Sequence, residues 1–118
     1  MRTVELIPDD NKDYGTREAF NTLRTNILFS GRDVKTILIT SSLAGEGKST
    51  VAFETAVSLA RVGKKVLLID ADLRKSAYAS RYTKETGLTG LSQYLSGQSE
   101  LDGVLYATQI PTLNIIFS

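Results

Sequence analysis

The stretch Ile37-Leu38-Ile39-Thr40-Ser41-Ser42-Leu43-Ala44-Gly45-Glu46-Gly47-Lys48-Ser49-Thr50 decides the architecture. An apolar run of strand length leads into a loop of small residues. The loop ends in Gly-Lys-Ser-Thr, and a helical pattern follows at once. Strand, glycine-rich loop and helix in that order form the setting of a phosphate-binding P-loop. Successive backbone N–H groups of such a loop converge on an anion, and the helix adds its positive end. Gly45 and Gly47 allow close backbone approach. Lys48 is placed to reach the β- and γ-phosphates of a nucleoside triphosphate, and the Ser49 hydroxyl to coordinate Mg²⁺. Ser42, Ala44, Glu46 and Thr50 complete the expected cradle. One departure is Ser42, which stands where the pattern has its first glycine. The bland alternative is a glycine-rich turn with no ligand.

Outward from this loop, residues 34–40 read as the first strand and residues 49–62 as a helix. The apolar face of that helix includes Val51, Ala52, Ala56, Leu59 and Ala60, and Gly63 ends it. Residues 66–70 read as a second strand. It is continuously apolar, as expected of a parallel strand covered on both faces. Together these make one right-handed βαβ unit. The second strand runs into Asp70-Ala71-Asp72-Leu73-Arg74. In open α/β sheets, ligands sit at the carboxyl ends of the strands. Asp70 and Asp72 are therefore candidates to hold Mg²⁺ or accept a proton. Alone, two acids after an apolar run are only a solvated strand exit; behind a P-loop they carry weight.

Upstream, residues 1–15 are polar and read as an extended, flexible arm, with residues 16–118 as the domain. Residues 16–30 show Ala19, Phe20, Leu23, Ile27 and Leu28 at helical spacing, with Thr16 as N-cap and Gly31 just past the end. Glu18 and Arg24 lie on this helix. Downstream, two short helices are expected at 91–95 and 101–106 and a third strand at 113–117. Tyr94 and Tyr106 read as packing residues; Tyr14, Tyr78 and Tyr82 read as exposed.

The chain has 118 residues, 42% of them hydrophobic, and a net charge of +1. That suits one globular domain and gives no field that argues for nucleic acid. No run approaches a membrane span, and the N-terminus is not a secretion signal. There are no cysteines and no histidines. Thiolate metal sites and imidazole catalysis are excluded, so a general base must be a carboxylate, a lysine or a tyrosine.

Taken together, the motifs resemble those of bacterial tyrosine kinases, the autokinases of capsular and exopolysaccharide synthesis. Residues 41–50 are similar to that family's Walker A sequence. Residues 66–74 are similar to its second motif, an apolar strand followed by Asp-x-Asp-x-Arg. Residues 18–24 resemble its oligomerisation helix, and residues 90–97 a segment common after the second motif. The resemblance covers nearly the whole chain from about Glu18 onward. It implies an α/β fold of P-loop NTPase type, a three-layer sandwich about a mainly parallel sheet. It implies ATP and Mg²⁺ as ligands, with Lys48 and Ser49 on phosphate and metal and Arg74 beside the nucleotide. Asp70 and Asp72 supply the metal-binding and base carboxylates; which does which stays open. It implies γ-phosphoryl transfer to tyrosines and autophosphorylation. It also implies a homo-oligomer through Glu18 and Arg24, and a cytoplasmic place at the inner face of the membrane through an adaptor, a polysaccharide co-polymerase.

Asn21 replaces the first arginine of the oligomerisation motif, so association is expected to be weak. The sequence reads as the N-terminal half of a kinase domain, without a Walker B strand or a tyrosine cluster, and is expected to be inactive by itself with about three strands in its sheet. Two alternatives remain: a partitioning or septum-positioning P-loop ATPase, whose early signature lysine is replaced here by Leu43, and a non-catalytic nucleotide-binding regulator.

Overall fold

The computed structural model describes residues 1–7, 14–31, 35–38, 48–73 and 82–118, and the side chains of 14–16 and 48–49 lie outside that description. In chain order the elements are β1 (Arg2–Val4), α1 (Tyr14–Phe29), α2 (Lys48–Arg61), β2 (Val66–Ile69), α3 (Leu91–Leu95), α4 (Leu101–Val104), β3 (Tyr106–Thr108) and β4 (Leu113–Ile116). The four strands form one sheet in the order β1-β3-β4-β2. The β1/β3 and β4/β2 ladders are parallel, and β3/β4 is an antiparallel hairpin. The α/β class with a mostly parallel sheet is as expected.

The helix after the loop runs from Lys48 to Arg61 and ends as the sequence suggests. Gly63 takes φ +91°. Its N–H donates to Ala60 O at 2.9 Å, and Lys64 N–H donates to Leu59 O at 3.1 Å. This paired closure needs a left-handed residue, which glycine supplies without a Cβ penalty. The buried side of α2 is centred on Phe53, Ala56, Val57 and Ala60. It is thus rotated from the expected face, because α2 packs on the sheet on one side and on α1 on the other. With Leu68, Leu113, Ile115 and Phe117, these residues form the core. α1 packs against α2, and its Phe20, Leu23, Arg24 and Ile27 are half-buried. It begins at Tyr14, so Thr16 lies inside the helix rather than at its cap.

Several expectations are corrected. The N-terminal segment is not a free arm at its start. Arg2 to Val4 pair with Tyr106 to Thr108, and Val4 and Leu6 are buried. Further bonds pin it: Glu5 N–H to Glu85 Oε2 (2.8 Å), Leu6 N–H to Gln109 Oε1 (2.8 Å) and Ile7 N–H to Tyr82 O (2.7 Å). Among the described residues the sheet has four strands rather than about three, and Tyr106 opens a strand rather than ending a helix. Residues 35–38 of the expected first strand are not in a ladder; all four are exposed, Leu38 at 86%. The rest of that strand lies outside the described residues. β2 is covered on one face only among the described residues. Leu68 is buried, while Leu67 and Ile69 are 49% and 48% exposed. Tyr82 is buried, stacked on Phe53 with ring centroids 3.7 Å apart. Tyr94 is exposed rather than packed. Tyr106 is buried as expected, and its hydroxyl accepts a hydrogen bond from Thr89 N–H at 2.9 Å.

Candidate functional site

The connection from α2 to β2 is only four residues long, 62–65. So short a join turns the chain back on itself, and α2 runs antiparallel to β2. The N-terminus of α2, at Lys48, and the carboxyl end of β2, at Asp70, therefore face the same end of the sheet. This is the end where α/β sheets hold ligands.

Asp70 follows β2 directly. Its N–H donates to Ile116 O at 2.9 Å, which carries the β2/β4 hydrogen bonding one residue past the strand. That bond fixes its backbone, and the residue is buried at 6% exposure. Asp72 N–H donates to Asp70 Oδ1 at 3.1 Å. This local turn holds the Asp70 carboxylate and brings the half-buried Asp72 beside it. A carboxylate that accepts a backbone N–H is stabilised in its ionised, acceptor form. Two oxygen-donor side chains at a strand end match Mg²⁺, which binds through one or two carboxylates and completes its shell with phosphate and water. Among the described residues no group of three or more His, Cys, Asp or Glu side chains could hold a metal alone. The donor set thus fits a metal shared with a phosphate ligand, not a closed protein cage.

Of the other expected site residues, Thr50 is half-buried in the first turn of α2, and Lys48 and Ser49 open that helix, although their side chains lie outside the description. Ser42, Ala44, Gly45, Glu46, Gly47 and Arg74 lie outside the described residues. Glu18 is exposed on α1, but Arg24 is half-buried and turned toward α2. Its Nη1 donates to Ser58 Oγ at 3.4 Å. Six residues place the two roughly 120° apart around a helix, so they do not share an outer face.

The sequence reading missed a second polar region. Arg17, Asn21 and Arg24 on α1 face Glu54, Ser58 and Arg61 on α2, and with Phe20 and Val57 they line a groove of about 360 Å³. Each set is spaced i, i+4, i+7, the spacing of one helix face. The signal was present in the sequence but lay outside the apolar residues used to orient α2.

The family model for the AAA domain matches residues 34–118. The tyrosine-protein kinase CpsD of Streptococcus agalactiae is 45% identical over 101 residues, which cover 86% of this chain and 44% of that protein. The solved BceF tyrosine kinase domain superposes with a TM-score of 0.76 at 34% identity, over 98% of this chain and 46% of that one. The chimerical protein CapA2B2 gives a TM-score of 0.80 at 29% identity, over 100% and 55%. The chain belongs to the AAA domain family, and the resemblance to bacterial tyrosine kinases read from its motifs is borne out. The chain spans a little under half the length of this curated relative.

Proposed function

We propose that this chain is the nucleotide-binding part of a protein-tyrosine kinase that acts in capsular or exopolysaccharide synthesis. The observation that carries the reading is the buried Asp70, held with Asp72 at the end of the sheet toward which α2 points its N-terminus. ATP sits with its phosphates on residues 42–50 and with Arg74 nearby. Ser49 and an acidic side chain would hold Mg²⁺, which when bound would offset the phosphate charge. A tyrosine oxygen forms a bond to the γ-phosphorus while the bond from that phosphorus to the β,γ-bridging oxygen breaks, and ADP leaves. The phenolic proton passes to Asp70 or Asp72, since the chain has no histidine. The work of the protein is positioning and charge stabilisation. The finer assignments, a homo-oligomer involving Glu18 and Arg24 and a membrane adaptor, belong to the same reading. No helix among the described residues is long and apolar enough to cross a membrane.

Calorimetry with ATP and Mg²⁺ tests the binding half. Lys48→Met removes a charge-assisted contact of about 1.5–3 kcal/mol, so affinity is expected to fall about tenfold or more. Equal affinity in the two proteins overturns it. For the chemistry, Asp70→Asn and Asp72→Asn are expected to leave melting nearly unchanged in a phosphorylating protein and to lower transfer by about 10²-fold. ATP turnover without phosphotyrosine would instead support the partitioning-ATPase alternative.

A further inference from the structure

The groove between α1 and α2 is built unlike an ordinary helix seam. Two packed helices usually bury apolar side chains at their contact. Here Val57 and Phe20 supply the apolar floor, and the remaining lining is polar. Three arginines, Arg17, Arg24 and Arg61, line it together with one acidic residue, Glu54, among the described lining. Glu54 is 5% exposed, so its charge is deep in the seam. Arg61 closes α2 and is exposed, and Arg24 is half-buried on the opposite wall. Asn21, a short side chain between Arg17 and Arg24 on the α1 face, leaves room in the groove and adds an amide donor; Ser58 adds a hydroxyl.

We propose that this groove is a second anion site, separate from the P-loop, which takes a small free phosphate-bearing ligand. The excess of guanidinium over carboxylate sets the sign of the ligand. Arginines on two walls set its shape. A carboxylate is planar and is satisfied by one guanidinium fork, whereas a tetrahedral phosphate accepts donors from several directions. The groove's volume exceeds the need of one phosphate group and accommodates a diphosphate or a small phosphorylated molecule. Arg61 stands thirteen residues beyond Lys48 on α2, roughly 20 Å along the helix axis. That end of the groove is thus remote from the nucleotide end, and both ligands can be held at once.

The test uses the whole chain carrying Lys48→Met, so that phosphate binding at the P-loop does not intrude. Inorganic phosphate and pyrophosphate are titrated by calorimetry at constant ionic strength, with chloride as the balancing anion. One site per chain is expected. Affinity is expected to fall at least about tenfold in Arg61→Gln and in Arg24→Gln. Arg61→Lys, which keeps the charge but loses the fork, is expected to lie between. Arg61 is exposed at a helix end, so its variants retain the fold, which circular dichroism checks. Absence of binding in the Lys48→Met chain, or unchanged affinity in Arg61→Gln, overturns the proposal. Neither result bears on ATP binding by the unsubstituted chain, which the Lys48→Met comparison tests separately.

Discussion

Residues 35–38 and strand β4 start from similar material and end differently. The first comes from Val34-Lys35-Thr36-Ile37-Leu38-Ile39-Thr40, the second from Leu113-Asn114-Ile115-Ile116-Phe117. Both are short runs rich in β-branched and apolar side chains, and periodicity treats them alike. β4 sits between β2 and β3, bonded on both edges, and Ile115 has no exposed surface. Residues 35–38 have no ladder, and Leu38 is almost fully exposed. Composition nominates a strand; a partner edge makes one. Both partners of β4 precede it in sequence: β2 lies far upstream, and β3 is the other arm of the hairpin.

The comparison predicts its largest effect at Ile115. Ile115→Ala removes a side chain from the middle of the core, where the lost transfer energy and the residual cavity add. A loss of about 2–5 kcal/mol is expected in denaturant unfolding. A loss below about 1 kcal/mol would mean that β4 is no better packed than its exposed counterpart.

A somewhat smaller effect is expected where β4 exits. Gly90 caps α3, and Leu91 N–H donates to Phe117 O at 2.6 Å. A Cβ on Gly90 would collide with the carbonyl of Ser118 and stand 2.8 Å from Phe117 O. Both are backbone atoms and cannot rotate aside. Gly90→Ala is therefore expected to cost about 1–3 kcal/mol by overpacking. Gly63→Ala is the control. Its φ of +91° is strained for alanine, but nothing lies within 4 Å of the added methyl. It should cost about 1–2 kcal/mol from conformation alone. If Gly90→Ala unfolds at the denaturant midpoint of the unsubstituted chain, the close approach of α3 to β4 is not what holds that corner.

The same contrast explains what could be read in advance. β2, α3 and β4 were legible because each is long or regular enough for its own residues to announce it. β1 and β3 were not: each has three residues, and they pair across about a hundred residues of sequence, Arg2 with Tyr106. No local pattern carries that contact. Tyr82 sits in a polar stretch and gains its burial from Phe53, whose ring is supplied by a distant helix. At the site, the position of Asp70 was legible because it follows an apolar strand directly. Its bond from Asp72 N–H was not, since it depends on the turn taken after the strand. The inward turn of Arg24 likewise depends on how α1 is rotated against α2, which no property of α1 alone determines.

The smallest effect is expected at the other member of the pair. Leu38 is 86% exposed, so truncating it removes little surface that folding has taken from water. Leu38→Ala should change stability by no more than about 0.5 kcal/mol, the usual range for surface positions. Ile37→Ala, at 46% exposure, should cost only slightly more. Measured beside Ile115→Ala in the same denaturant series, these variants test the contrast itself. A cost for Leu38→Ala that approached the Ile115 value would require this side chain to be packed in solution. Residues 35–38 would then have found a partner edge, and similarity of composition would have produced similarity of structure after all. A near-zero cost leaves neighbour strands as the deciding difference between two runs that the sequence alone cannot tell apart.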